Sequence, residues 1–161
     1  MNNALALSER DNGSIADWTY GGWYNYDESQ AFVDTYIKNY IKYTKMEQEH
    51  SHLPTNGIKI TFDDGSAMNV CSYLVVFYPN AKKTEINGKD GFVFYINRNN
   101  SGKRNARLVP HNVGGVSSPQ GIENALKDST YGCVPGARMW HCAWLIQRNG
   151  WKIPDDYPVR F

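Results

Sequence analysis

Several common signatures are absent from this chain, and each absence removes a class of function. No apolar run approaches the roughly 18 residues that a membrane-spanning helix requires. Charge of neither sign prevails: the formal net charge is +1, so no global field draws the protein to nucleic acid or an anionic membrane. The phosphate-binding loop, the Rossmann glycine pattern, the zincin helix and the Gly-x-Ser-x-Gly elbow are all missing. Nucleotide-cofactor enzymes and serine hydrolases of the usual kinds are thereby disfavoured, and no cofactor is expected. Cysteine is scarce and odd in number, with Cys71, Cys133 and Cys142 lacking zinc-type spacing. They read as free thiols in a reducing compartment, with one disulfide and one leftover thiol as the alternative. "MNNALALSERDNGS" has neither a basic start nor a long apolar stretch. The expected location is therefore the cytoplasm, with signal-independent export left open.

What the chain does have is aromatic bulk. Five Trp, eleven Tyr and six Phe fill a core without many leucines. No repeat, linker or composition shift divides the sequence, so residues 1–161 read as a single domain. Residues 1–26 look irregular, with "WTYGGWYNYDE" gathering aromatics around a Gly-Gly pair. Asp27 reads as an N-cap, and Phe32, Val33, Tyr36, Ile37, Tyr40 and Ile41 form one helical stripe. That predicts a long helix from about Asp27 to Gln48, stopping before Pro54. "GIKITF", the "DDGS" turn, "AMNVCSYLVVFY" and "FVFYINR" then read as strands and turns, the third as one central strand covered on two faces. Ser118-Pro119 fits the start of a short helix through about Lys127. "MWHCAWLIQ" reads as a last strand, turned by Asn149-Gly150 into "WKI". The expectation is an α+β domain: a mostly antiparallel sheet of about five strands packed against one long N-terminal helix and one short helix.

Four segments carry candidate chemistry. In "STYGCVPGARMWHCAW" a bend at Gly132 presents Cys133 outside regular structure, and His141 follows eight residues later. A thiol reacts as thiolate, and a nearby imidazole both lowers its pKa and moves protons. On a strand, His141 and Cys142 would face opposite ways, leaving Cys142 in the core. The group that would orient the imidazole is open, with Asp128, Ser129 and Asn112 as candidates and Asp128 preferred. A Gly-Cys on a loop followed by a His on the next strand is similar to the order in cysteine deamidase toxins. Those enzymes carry Leu-Ser before Gly-Cys, which this chain does not. The resemblance implies Cys133 as nucleophile and His141 as base, acting on a protein or peptide amide. A compact domain of this kind suits a bacterial effector or toxin-like enzyme.

The second segment, "RNNSGKRNARLVPH", places Arg98, Lys103, Arg104 and Arg107 close together with His111 behind them. Such a patch grips phosphates, Phe94 and Tyr95 would stack bases, and His111 or His141 would serve a metal-independent ribonuclease as acid or base. A solvated loop explains the same composition. "MEQEHSH" offers Glu47, Glu49, His50 and His52, but on several faces of a fraying helix end, so no metal site is expected. Asp63 and Asp64 read as a turn rather than a cation site. Three functions follow in order: a cysteine-dependent amide hydrolase, a nucleic-acid-directed protein using residues 98–111, and a non-catalytic interaction module built on "WTYGGWYNY". The expected partners are a protein or peptide substrate or nucleic acid, with no membrane; oligomeric state stays open.

Overall fold

Alternating and doubly apolar runs in the middle of the chain fold into one antiparallel meander. A computed structural model describes residues 1–51, 55–98, 108–111 and 118–161. Its six strands are β1 (Lys45–Ser51), β2 (Thr55–Thr61), β3 (Ala67–Cys71), β4 (Leu74–Tyr78), β5 (Phe92–Ile96) and β6 (Leu108–Pro110), and each pairs with its sequence neighbours. Helices α1 (Asn2–Asn12) and α2 (Tyr26–Tyr36) precede the sheet, and α3 (Pro119–Leu126) and α4 (Cys142–Arg148) follow it. This is the expected α+β class.

The register sorts side chains onto two faces because successive strand residues alternate. Pairing of Ile58 with Val70, Val70 with Val75 and Val75 with Phe94 lines up one apolar face. Phe32, Val33 and Ile37 from the α2 region join that face, together with Leu5, Ile15 and Trp18. Ala67, Leu74, Val76, Tyr78 and Val93 form the opposite face with Trp140 from the C-terminal region. Every residue of β3 is buried, as the doubly apolar run predicts.

Six local expectations are corrected. The N-terminal segment contains α1, whose buried stripe is only Ala4, Leu5 and Ser8, too narrow to stand out from its polar residues. The second helix starts at the cap Asn25, whose side chain accepts from the N–H groups of Asp27 and Glu28, and ends at Tyr36. Its expected continuation is instead a short turn and β1, because "MEQEHS" pairs in register with Thr55–Thr61. "AMNVCSYLVVFY" is not one strand but the β3–β4 hairpin, turning at Ser72 with φ 54°. No Gly or Asn marks that turn. Among the described residues the strand count is six because this split and the unexpected β1 and β6 outweigh the loss of "MWHCAWLIQ" and "WKI" as strands.

"MWHCAWLIQ" is a helix start rather than a strand. A short apolar run suits a buried helix as well as a strand, and here Cys142, Ala143 and Trp144 are all buried in succession. The end of α4 explains the choice. Trp151 N–H donates to Ile146 O (2.9 Å) and Gly150 N–H to Gln147 O (3.1 Å). Gly150 at φ 68° completes a left-handed helix stop, so Asn149-Gly150 ends a helix instead of turning a hairpin.

Phe32 is 2% exposed, between Trp18, Tyr20 and Tyr36. Replacing Phe32 with Ala should lower unfolding free energy by about 3–5 kcal/mol in urea titration, through lost burial and the cavity left behind.

Candidate active site

The sequence places His111 and His141 thirty residues apart, and the fold brings their rings together. Their centroids lie 5.5 Å apart with planes 14° from parallel. His111 directly follows β6, and its backbone N–H donates to Val93 O (2.9 Å). His141 caps the start of α4 and is 1% exposed. Its own N–H donates to Tyr131 O (3.1 Å), tying it to the loop that follows α3.

The His141 ring is oriented by a backbone group. Nδ1 lies 2.9 Å from the carbonyl oxygen of Ala125 in α3. A carbonyl only accepts, so Nδ1 carries the proton and neutral His141 has its lone pair on Nε2. That Nε2 is buried and, among the described residues, has no hydrogen-bond partner. His111 Nδ1 is in the same condition. A buried orphan polar atom costs about 1–3 kcal/mol, and two beside each other invite a functional account.

Aromatic rings wall the pair. Trp140 meets His111 edge-on at 5.1 Å, Tyr95 does so at 6.3 Å, and Trp144 meets His141 at 6.1 Å. Tyr131 lies across Trp140 and His141 and is itself 37% exposed, with the Arg138 guanidinium over its ring. Burial, and the second imidazole after it, push the His111 pKa down from 6.5 to about 4. His111 is therefore uncharged at neutral pH.

The thiol expectation is corrected. Cys133 and Cys142 are joined as a disulfide, leaving Cys71 as the buried cysteine outside it. An odd count argues against full pairing but says nothing about which two meet. Here the turns before α4, tied by Arg138 N–H to Thr130 O and His141 N–H to Tyr131 O, bring Cys142 back to the loop after α3, and the bond lies in an apolar cluster with Met139, Leu145, Tyr157 and Val159. Cys142 is buried in the core as expected, but as half of a disulfide, and Cys133, 4% exposed, is not a free thiol. Gly132 is required before it: a Cβ there would sit 2.4 Å from Asp128 O and 2.6 Å from Leu126 O.

Asp128 does not orient His141. Its carboxylate accepts from the N–H groups of Tyr131 (2.7 Å) and Thr130 (2.9 Å), and these bonds hold its pKa below the usual carboxylate range. It shapes the loop, while Ala125 supplies the orienting group. No side-chain pattern reveals a backbone carbonyl in that role. Arg98 is exposed, its guanidinium 5.1 Å from the Tyr20 ring and 4.8 Å from the Tyr73 ring. Lys103, Arg104, Arg107, Asn112 and His52 lie outside the described residues.

The remaining candidates are structural. Glu47 pairs with Lys45 and Glu49 with Lys59, while His50 Nδ1 meets Asn56 Oδ1 at 2.8 Å. Among the described residues no group of three or more His, Cys, Asp or Glu side chains is placed to hold a metal ion. Asp64 accepts from the N–H and hydroxyl of Ser66, the expected turn. Trp18 is 5% exposed, stacked on Tyr36 with Nε1–H donating to Gly13 O, so it belongs to the core, whereas Tyr20 and Trp23 are half-buried and Tyr24 is exposed.

The chain belongs to the family of unknown function DUF6613, whose model matches residues 1–161. No curated protein and no solved structure matches it.

Two outcomes test this site. Thiol titration of the denatured chain should find one reactive thiol before reduction and three after it, and reduction should lower stability by about 2–3 kcal/mol for a loop this short. Unfolded His111 binds its proton near pH 6.5 and folded His111 only near pH 4, so the unfolded chain holds more protons between those values. Stability therefore rises with pH across that window and is lost as pH falls through it, by about 3 kcal/mol in all. His111→Gln should flatten the urea midpoint over the same range.

Proposed function

We propose that the protein is a nucleic-acid-directed enzyme that cleaves RNA without a metal, using His111 and His141 as an acid–base pair. The observation that carries this reading is the stacked imidazole pair with one orphan nitrogen on each ring. Two titratable groups whose surroundings differ divide naturally into acid and base. His111, uncharged at neutral pH, takes the proton of a ribose 2′-hydroxyl. The 2′-oxygen attacks phosphorus, the bond from phosphorus to the 5′-oxygen breaks, and Nε2–H of protonated His141 supplies the proton to that oxygen. The products are a 2′,3′-cyclic phosphate and a 5′-hydroxyl. Tyr131 is the ring a substrate displaces to reach His141. The cations Arg98, Lys103, Arg104 and Arg107 offset the charge of the strand.

Cysteine-dependent hydrolysis of a protein or peptide amide is the second reading, with the effector-like or toxin-like character that the sequence suggested. The observation favouring it is the anchored His141, which has the orienting partner a catalytic imidazole needs. It requires a thiol reductant to open the Cys133–Cys142 bond before Cys133 can act as nucleophile.

One assay separates the two. Single-stranded RNA incubated with the protein in chelator should yield cyclic-phosphate ends, and His111→Gln or His141→Gln should each reduce the rate at least 100-fold. Cys133→Ala should retain the RNA activity once its fold is verified by circular dichroism. No cleavage of any RNA, or full activity in both histidine variants, overturns the reading. A glutamine or peptide amidase activity that appears only under reductant and vanishes in Cys133→Ala would establish the second.

A further inference from the structure

Beside the histidine pair lies a small cleft that the acid–base chemistry does not use. Its volume is about 210 Å³, and it is lined by Tyr73, Tyr95, Ile96, Asn97 and Arg98. That is below the roughly 300 Å³ at which pockets for drug-sized ligands begin, so it suits one unit of a larger ligand. Its frame is rigid. Tyr73 stands in the β3–β4 turn, and Ile96 N–H donates to Tyr73 O (2.7 Å), locking that turn to the end of β5. Tyr95 lies on β5, opposite Leu74.

Three kinds of chemistry meet there. The Tyr95 ring is half-buried, and burial holds its phenol protonated by raising its pKa. Arg98 is a permanent cation whose plane is steadied by the Tyr20 and Tyr73 rings. His111 touches Tyr95 edge-on from the direction of the candidate active site. An aromatic platform beside a guanidinium fits a flat base joined to a phosphate better than either piece alone.

We propose that this cleft binds one nucleotide of a single-stranded RNA, the base against Tyr95 and the phosphate on Arg98, and so sets which phosphodiester reaches the histidines. The identity of the ligand rests on the RNA-cleavage reading. Tyr95 and Arg98 are positioning residues: they touch the strand one unit away from the bond that breaks.

The test measures binding apart from cleavage. The probe is a fluorescent RNA hexanucleotide with methylated 2′-oxygens, which cannot be cut by 2′-attack. Arg98→Gln should weaken its binding about tenfold and reduce the salt dependence by about one charge. Tyr95→Leu should weaken it about tenfold, whereas Tyr95→Phe keeps the platform and should bind as the wild type does. A nucleoside monophosphate should compete better than inorganic phosphate or the bare nucleoside. Unchanged binding in both Arg98→Gln and Tyr95→Leu overturns the proposal, and competition by inorganic phosphate equal to that by the nucleotide overturns the base-stacking half. Binding that depends on Arg98 and Tyr95 without wild-type cleavage of ordinary RNA would remove the histidine mechanism and leave the cleft. Histidine-dependent cleavage indifferent to Arg98 and Tyr95 would do the reverse.

Discussion

Both faces of the central strands must be hidden from water. Apolar side chains project both ways from β3 and β4, and leaving either face open would forfeit roughly 25 cal/mol for each Å² of apolar surface. The chain meets this by dividing itself around the meander. Residues before the sheet, through Leu5, Trp18, Phe32 and Val33, join one face. Residues after it, led by Trp140, join the other.

Covering a face with a short, irregular segment requires other ties. The segment after α3 has Gly132 where a side chain would collide with the Asp128 and Leu126 carbonyls, the Cys133–Cys142 bond, and a left-handed Met139 (φ 57°) just before Trp140. The His141 ring is fastened to Ala125 at one nitrogen, and its other nitrogen is buried without a partner among the described residues. A purely structural histidine would be expected to have both nitrogens satisfied. The same arrangement that closes the core thus sets an imidazole beside His111 in a low-dielectric, aromatic surrounding. Burial keeps His111 neutral and shifts its protonation below the range of an ordinary histidine.

Much of the architecture is readable before folding, wherever one period or one capping residue dominates. Ser118-Pro119 at the start of α3, the Asp64 turn and the doubly buried β3 are of this kind. The failures share a cause. "MEQEHS" and "HCAWLIQ" are short segments whose local preference is indifferent, so pairing with β2 and burial at the end of the sheet decided them. Ser72 turns a hairpin without the residues that usually announce one. At the candidate site His141 and His111 were legible as candidates one at a time, never as a pair. Asp128 was plausible by proximity in sequence, but its carboxylate is occupied by neighbouring N–H groups.

By itself the sequence determined the fold class, the need for an aromatic core and the residue types available for chemistry, because these depend on composition and short-range periodicity. Which residues meet was decided only by tertiary structure. Cys133 finds Cys142 because the turns before α4, tied to Thr130 and Tyr131, return the chain to the loop after α3. His141 finds the Ala125 carbonyl across sixteen residues and His111 across thirty. Those distances are bridged by packing against a shared sheet, and no local spacing encodes them.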